Sequence, residues 1–386
     1  MSTLKVAALQ GVSASSDAIT LANDGTCTAN ITNNLSNRNL IINGAMQVAQ
    51  RGTSFTSVTA SAYHLDRFQY NLNGTVGAAT VTQATVTDLA GFTKSLKVDC
   101  TTADASLATG DRLTLRYALE GQDLQQVAKG TSSAKQLTLS FYIKATKTGT
   151  QIVELFDHDN TRHCAKSVTI NSSNTWERKT ISYPADTTGA LDNDNANSIS
   201  IFFGIACGTD YTSGTLATAW ASNTNANRFV GQVNHFDNTA NNFEITGVQL
   251  EVDHTGSGVA TDFEHRSLAV EKRLCMRYYQ QYTNIMSVGY VPNNGSKSYS
   301  HGFNFPVEMR AAPTLTISNT GSTAGQYVND GDTNRNVSSL NAHASQTYQI
   351  EYYFNLSGDL ADFRGAYAVS STSTTHQTTY YITAEL

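Results

Sequence analysis

The chain has 386 residues, a net charge of −6 and only 15% charged residues, where about a quarter is usual. The acidic balance and the lack of any basic stripe exclude a nucleic-acid partner. No apolar run approaches the length needed to span a bilayer as a helix, which excludes membrane insertion of that kind. Ser, Thr and Asn fill the place of the missing charges, and a neutral hydroxyl and amide surface suits exposed β-sheets. The five cysteines, Cys27, Cys100, Cys164, Cys207 and Cys275, show no paired spacing. They read as free thiols of a protein made in a reducing cytosol, not as a disulfide framework or a zinc site. The N-terminus has no basic stretch followed by an apolar run, so no signal peptide is expected.

Residues 1–36 form a first segment of short strands and turns. Two alternating runs flank Asn23-Asp24-Gly25, which predicts a hairpin. The segment is too short and polar to own a core, so it is expected to dock on something else, with a frayed tail as the competing reading. From 37 to 265 one grammar repeats: Val-, Ile-, Thr- and aromatic-rich runs separated by Gly, Asn, Asp and Ser clusters. The runs "AATVTQATV", "SLKVDC", "LTLRYALE", "QLTLSFYIKA", "QIVELFD", "SISIFFGIAC" and "NNFEITGVQLEV" are among the clearest. Most alternate polar and apolar residues, as half-buried antiparallel strands do. About ten strands at short spacing predict an antiparallel jelly-roll β-sandwich. Two long loops interrupt it, at 184–198 and 208–242. Residues 266–282 predict a linking helix with Val270, Leu274 and Tyr278 on its apolar face. Residues 283–386 return to strands, giving a second, smaller β domain. The fold expected is therefore mainly β.

Several stretches, in order, resemble a recurring domain of tailed-bacteriophage virion proteins. They are "NLIINGAMQVAQRGTSF" (39–55), "YHLDRF" (63–68), "EGQDL" (120–124), "TGVQLEV" (246–252), "TDFEHRSLAVEKRLCMRYYQQY" (261–282) and "FPVEMRAAPTLTISN" (305–319). Such domains look like carbohydrate-binding-module jelly rolls in tail fibres and related appendages. The resemblance implies a virion location, assembly in the host cytoplasm, a homotrimer, docking to other virion proteins through residues 1–36 and contact with a host-surface glycan. A collar, adaptor or capsid decoration protein of purely structural role is the alternative.

The chemistry-bearing residues are few. Leu40, Ile42 and Met46 are expected to reach the core from the lead-in stretch. In the 208–242 loop, Tyr211, Trp220 and Arg228 have the character of sugar-contact residues, with packing on the sandwich as the competing reading. In the C-terminal domain, Tyr290, Tyr299 and Tyr327 sit in Gly/Ser/Asn-rich stretches that suit receptor contact, with plain hairpin tips as the competing reading. No cofactor is expected, apart from a structural calcium of the kind jelly-roll binding modules carry, for which Asp66 is a weak candidate. Glu120, Glu154, Asp157 and Glu177 are the carboxylates that a glycan-cleaving pair would draw on. No nucleophile elbow, P-loop or zinc-protease motif accompanies them, so an enzyme is not expected.

Overall fold

The computed structural model describes residues 6–12, 19–21, 23, 27–29, 37–283, 287–290, 297–320, 326–329, 334–356, 365–370 and 377–386. Near the N-terminus β1 (Ala8–Leu9), β2 (Ile19–Leu21) and β3 (Cys27–Ala29) form a small antiparallel sheet, with β2 and β3 paired as the expected hairpin. The sandwich strands follow: β4 (Ser54–Val58), β5 (Ala62–Leu65), β6 (Phe68–Asn73), β7 (Ala78–Thr85), β8 (Lys94–Thr102), β9 (Arg112–Glu120), β10 (Gln136–Ala145), β11 (Gly149–Asp157), β12 (Arg162–Ile170), β13 (Glu177–Tyr183), β14 (Asn197–Cys207), β15 (Ala221–Ser222) and β16 (Asn242–Asp253). They make two antiparallel sheets. One has the order β13-β10-β16-β8-β7-β4, the other β15-β12-β11-β14-β9-β6-β5.

Period-two alternation builds the core between them. On β9, Leu113, Leu115, Tyr117 and Leu119 point inward, and on β14 Ile199, Ile201, Phe203 and Ile205 do so. They meet Leu139, Phe141 and Ile143 of β10 and Phe243, Ile245 and Leu250 of β16. Phe141 and Phe203 cross from sheet to sheet edge to face, with centroids 5.1 Å apart, an arrangement aromatic quadrupoles favour. The lead-in stretch is a chain of turns and not a strand, and it buries Ile41, Met46 and Val48, while Leu40 and Ile42 are only half-buried. Expectation and structure differ by one residue for the isoleucines because Asn39 and Asn43 turn inward to bind backbone. Asn43 donates to the carbonyls of Val48 and Asp66.

After the sandwich and the short α1 (Thr209–Thr212), the linking helix is α2 (Leu268–Met276). The Ser267 side chain caps it by accepting from the Val270 amide, a favoured N-cap arrangement. The helix is shorter than expected, and its buried face departs from the predicted one at Val270 and Glu271, while Tyr278 and Cys275 are buried. Glu271 and Cys275 are buried, while Val270 is 48% exposed and Leu268 58%. The reason is electrostatic: the Glu271 carboxylate accepts from the Asn43 amide at 2.5 Å and from Arg266 at 3.1 Å, so the helix docks by its acid on an inward-turned backbone.

Tyr278 lies beyond the helix and opens onto β17 (Tyr279–Thr283). The remaining strands are β18 (Ser287–Tyr290), β19 (Lys297–Asn304), β20 (Thr314–Thr320), β21 (Gln326–Asn329), β22 (Asn334–Ser345), β23 (Gln349–Leu356), β24 (Gly365–Ser370) and β25 (Gln377–Thr383). They form a three-stranded sheet, β17-β25-β20, and a closed six-stranded barrel, β18-β19-β23-β22-β21-β24. Among the described residues no helix is long and apolar enough to cross a membrane.

Candidate functional site

The outer face of the seven-stranded sheet carries an unusual concentration of polar side chains. Cross-strand register places Gln69, Asn71 and Asn73 of β6 opposite Arg116, Thr114 and Arg112 of β9. The next strand, β14, sets Phe202 opposite Arg116, and β11 sets Phe156 opposite Ser200. Three strand intervals make this face ~14 Å wide. All of these side chains leave the sheet on the side away from the core, which is why the alternation that fills the core also assembles the face.

The groups are tied into one network. Arg116 donates from Nε to Ser200 Oγ at 3.0 Å and from Nη1 to Gln69 Oε1 at 3.2 Å. Asn71 Nδ2 donates to the same Gln69 oxygen at 3.2 Å. His158 Nε2 lies 3.0 Å from Ser200 Oγ. With its amide oxygen turned toward them, Asn197 accepts from Arg116 Nη2 at 2.7 Å and from His158 at 3.0 Å. The His158 ring stacks tilted on Phe156 at 4.8 Å. His158 is an exposed residue whose Nε2 edge is packed into the face. Burial of that edge, with the guanidiniums of Arg116 and Arg228 nearby, lowers its pKa to about 4, so the ring is neutral near pH 7. The Arg112 Nε is buried and finds no acceptor among the described residues. The arrangement offers amide and guanidinium groups beside a half-exposed ring pair.

One side of the face is bounded by the 208–232 loop, which is plugged into the sheet. Tyr211 is buried with Ile152, Ala165, Phe202 and Phe229. Arg228 grips Glu154 with two parallel hydrogen bonds, Nε to Oε1 at 2.8 Å and Nη2 to Oε2 at 2.6 Å, and His163 Nδ1 lies 2.9 Å from Oε1. Burial works to raise the Glu154 pKa, but Arg228 and His163 outweigh it and hold it below the usual carboxylate range. Trp220 is half-buried, its indole N–H donating to the Pro184 carbonyl at 2.9 Å. Of the loop residues singled out from the sequence, Tyr211 and Arg228 thus face inward and Trp220 lies partly covered. The other side of the face is bounded by residues 384–386. There Arg116 and Tyr63 donate to the Leu386 carbonyl, and Glu385 pairs with Arg51 at 2.9 Å and Arg67 at 2.8 Å.

The remaining expected site residues lie elsewhere. Tyr290, Tyr299 and Tyr327 belong to the strands β18, β19 and β21 of the barrel, with Tyr290 and Tyr299 opposite each other in register. Their side chains, and the connecting stretches 291–296, 321–325 and 330–333, lie outside the described residues. Asp66 is buried, and both its oxygens are taken by Gln50, from the backbone amide at 2.7 Å and from the side chain at 2.6 Å. Burial raises its pKa against the pull of Arg51. Among the described residues no three His, Cys, Asp or Glu side chains gather to hold a metal. Each of the four carboxylates is paired: Glu120 with Arg277 and Tyr278, Glu154 as above, Asp157 with Lys129 and Glu177 with Lys179.

No protein family matches the chain, and no curated protein does. Solved structures with similar parts include phage tailspikes and carbohydrate-binding modules. The enzymatically active domain of tailspike protein 4 of bacteriophage CBA120 aligns with 15% identity and a TM-score of 0.29, over 56% of this chain and 22% of that one. The C-terminal family 22 carbohydrate-binding module of Clostridium thermocellum Xyn10B aligns with 14% identity and a TM-score of 0.28, over 57% of this chain and 99% of that one. The tailspike gp61 of Pseudomonas phage phi297 aligns over 28% of this chain and 16% of its own, with 7% identity and a TM-score of 0.18. The chain thus spans about a fifth of the tailspikes it matches.

Proposed function

We propose that this chain is a virion appendage protein of a tailed bacteriophage, of the tail-fibre kind, and that its sandwich binds a host-surface glycan on the outer face of the seven-stranded sheet. The observation that carries the binding site is the Gln69–Asn71–Arg116–Asn197 network beside the Phe156–His158 ring pair. A sugar offers hydroxyls on its edges and C–H groups on its faces; amides and guanidiniums serve the first, rings the second. The virion assignment is supported by the ordered motifs from Asn39 to Asn319. We read the protein as a binder and not an enzyme, because each of the four candidate carboxylates is neutralised by a neighbouring donor.

The test is a glycan array with the purified chain, repeated with Arg116→Ala and with Tyr290, Tyr299 and Tyr327 all replaced by alanine. Binding lost in the Arg116 variant, with its melting point within a few degrees of the parent, supports the sheet face. Binding lost only in the tyrosine variant moves recognition to the barrel. No glycan bound by the parent overturns the reading.

A second reading, a structural collar or adaptor protein, is favoured by exposed apolar residues. Leu268 and Val270, at the start of α2, are 58% and 48% exposed, and Val259 in the stretch before it is 72% exposed. Under either reading we propose a homotrimer in which this patch is covered by a neighbouring copy.

A further inference from the structure

Below one end of the sugar face, an ammonium group sits where four oxygens converge. Lys129 Nζ lies 2.6 Å from Asp157 Oδ2, 2.8 Å from the Gly189 carbonyl, 3.0 Å from the Thr188 carbonyl and 3.1 Å from Asp186 Oδ2. Asp157 is fully buried, and the Lys129 side chain is 2% exposed. An ammonium has three N–H donors, one fewer than the acceptors around it. Two carboxylates and two backbone carbonyls around one point supply four of the six to eight oxygens that calcium takes, which bind it at distances a few tenths of an ångström shorter. The site is closed on its remaining side by the Trp220 ring, 5.0 Å from Nζ.

We propose that the Lys129 ammonium stands in for a structural divalent cation. The fold carries a cation cage and fills it from its own chain, so the wild-type protein needs no calcium, while a variant without the lysine becomes a calcium site. Charge supports this. Arg162 pairs with Asp186 at 3.0 Å, so Lys129, Arg162, Asp157 and Asp186 sum to neutrality, and loss of the lysine leaves one uncompensated buried negative charge. Geometry supports it as well: truncation at Cβ frees room for an ion with one or two waters and leaves all four oxygens in place.

The cage also has a task. It joins three separate stretches, the segment after the 3-10 turn Gly121–Val127, the loop carrying Asp186 to Gly189, and the turn after β11. That last turn is held by Asp157, which accepts from the Asn160 amide at 3.0 Å. His158, the outer member of the ring pair, is the next residue. Lys129 is therefore a positioning residue for the sugar face, a clause that rests on the function proposed above.

The experiment is thermal melting of the wild type, Lys129→Ala and the double variant Lys129→Ala/Asp157→Asn, each in chelator and in millimolar calcium. The expected result is a wild type indifferent to calcium, a single variant that melts lower in chelator and recovers several degrees with calcium, and a double variant that does not recover. Calcium that shifts neither protein, or that shifts wild type and single variant equally, overturns the proposal. If Lys129→Ala fails to fold without calcium, refolding in calcium supports the proposal. Failure in both conditions overturns the proposal. Glycan binding by Lys129→Ala, lost in chelator and restored in calcium, tests the positioning role. If the wild type binds no glycan, the proposed function fails while the melting result still decides the cage.

Discussion

At Gly247 the backbone takes φ +59°, and a Cβ there would lie 2.8 Å from the Phe92 ring and 2.9 Å from Tyr142. The residue sits where the pairing of β10 with β16 slips between Ser140 and Tyr142. A bulge of this kind needs a left-handed residue with no side chain, which is the physical content of the glycine in "TGVQLEV". Gly247→Ala is expected to cost about 1–3 kcal/mol, measured by denaturant unfolding. The buried histidines set a pH dependence at the same scale. Burial lowers the pKa of His235 to about 3 and that of His64 to about 4. Unfolding returns both to about 6.5. Between about 4 and 6.5 the unfolded chain therefore binds more protons than the folded one, so stability is full above about 6.5 and falls as pH drops through that window. For each such histidine the loss is roughly 1.4 kcal/mol per pH unit once the unfolded ring is protonated and the folded one is not. A melting point flat from pH 7 to 4 would contradict this, and His235→Gln is expected to reduce the slope.

Among the elements, the join between sandwich and C-terminal sheet is the most informative. Tyr278 is 1% exposed and Tyr279 4%. Arg67 stacks over the Tyr278 ring at 3.4 Å, and Arg51 over Tyr279 at 3.6 Å. These tyrosines are thus hidden inside one chain, and replacing them by serine is expected to weaken the join and not to separate subunits. Tyr278→Ser should cost about 3–5 kcal/mol, as deletion of a large buried ring does, and make the β17 region sensitive to limited proteolysis. Tyr278→Phe, which loses only the hydroxyl bond to Glu120, should cost about 1–3 kcal/mol. The strands and the sandwich were legible in the sequence because alternation with a period of two states which side chains share a face. The same alternation does not state what covers an outward face. Tyr211 and Arg228 read as either sugar contacts or packing residues because they lie in a long polar loop, and that loop folds down onto Glu154. Gln69, Asn71 and Arg116 carry no signal of their own in the sequence, yet they lie together in the network beside the Phe156–His158 ring pair. Helix periodicity put Val270 inside and Glu271 outside; a buried backbone amide on Asn43 reversed the two.

Over the whole molecule, the exposed large apolar side chains among the described residues include Leu9 and Leu21 of the N-terminal sheet and Leu268 and Val270 at the start of α2. Replacing Leu268 and Val270 by serine is expected to lower the mass measured in solution from that of a trimer to that of one chain while leaving the melting point of the sandwich unchanged. A wild type that is already a single chain at micromolar concentration would contradict the trimer. Removing residues 1–36 should leave a folded protein that no longer enters particles, assayed by the composition of purified virions. The Glu385 clamp described above has a consequence in time. Arg67 is fully buried, and its carboxylate partner is 318 positions later. A ribosome adding about 5–20 residues per second separates the two by roughly 15–60 s. Throughout that interval Arg67 has no Glu385 to pair with, so its guanidinium is expected to stay in water and the seven-stranded sheet to stay incompletely closed around it until Glu385 is made. Synthesis itself thereby delays completion of the outer face of the seven-stranded sheet until Glu385 has been made.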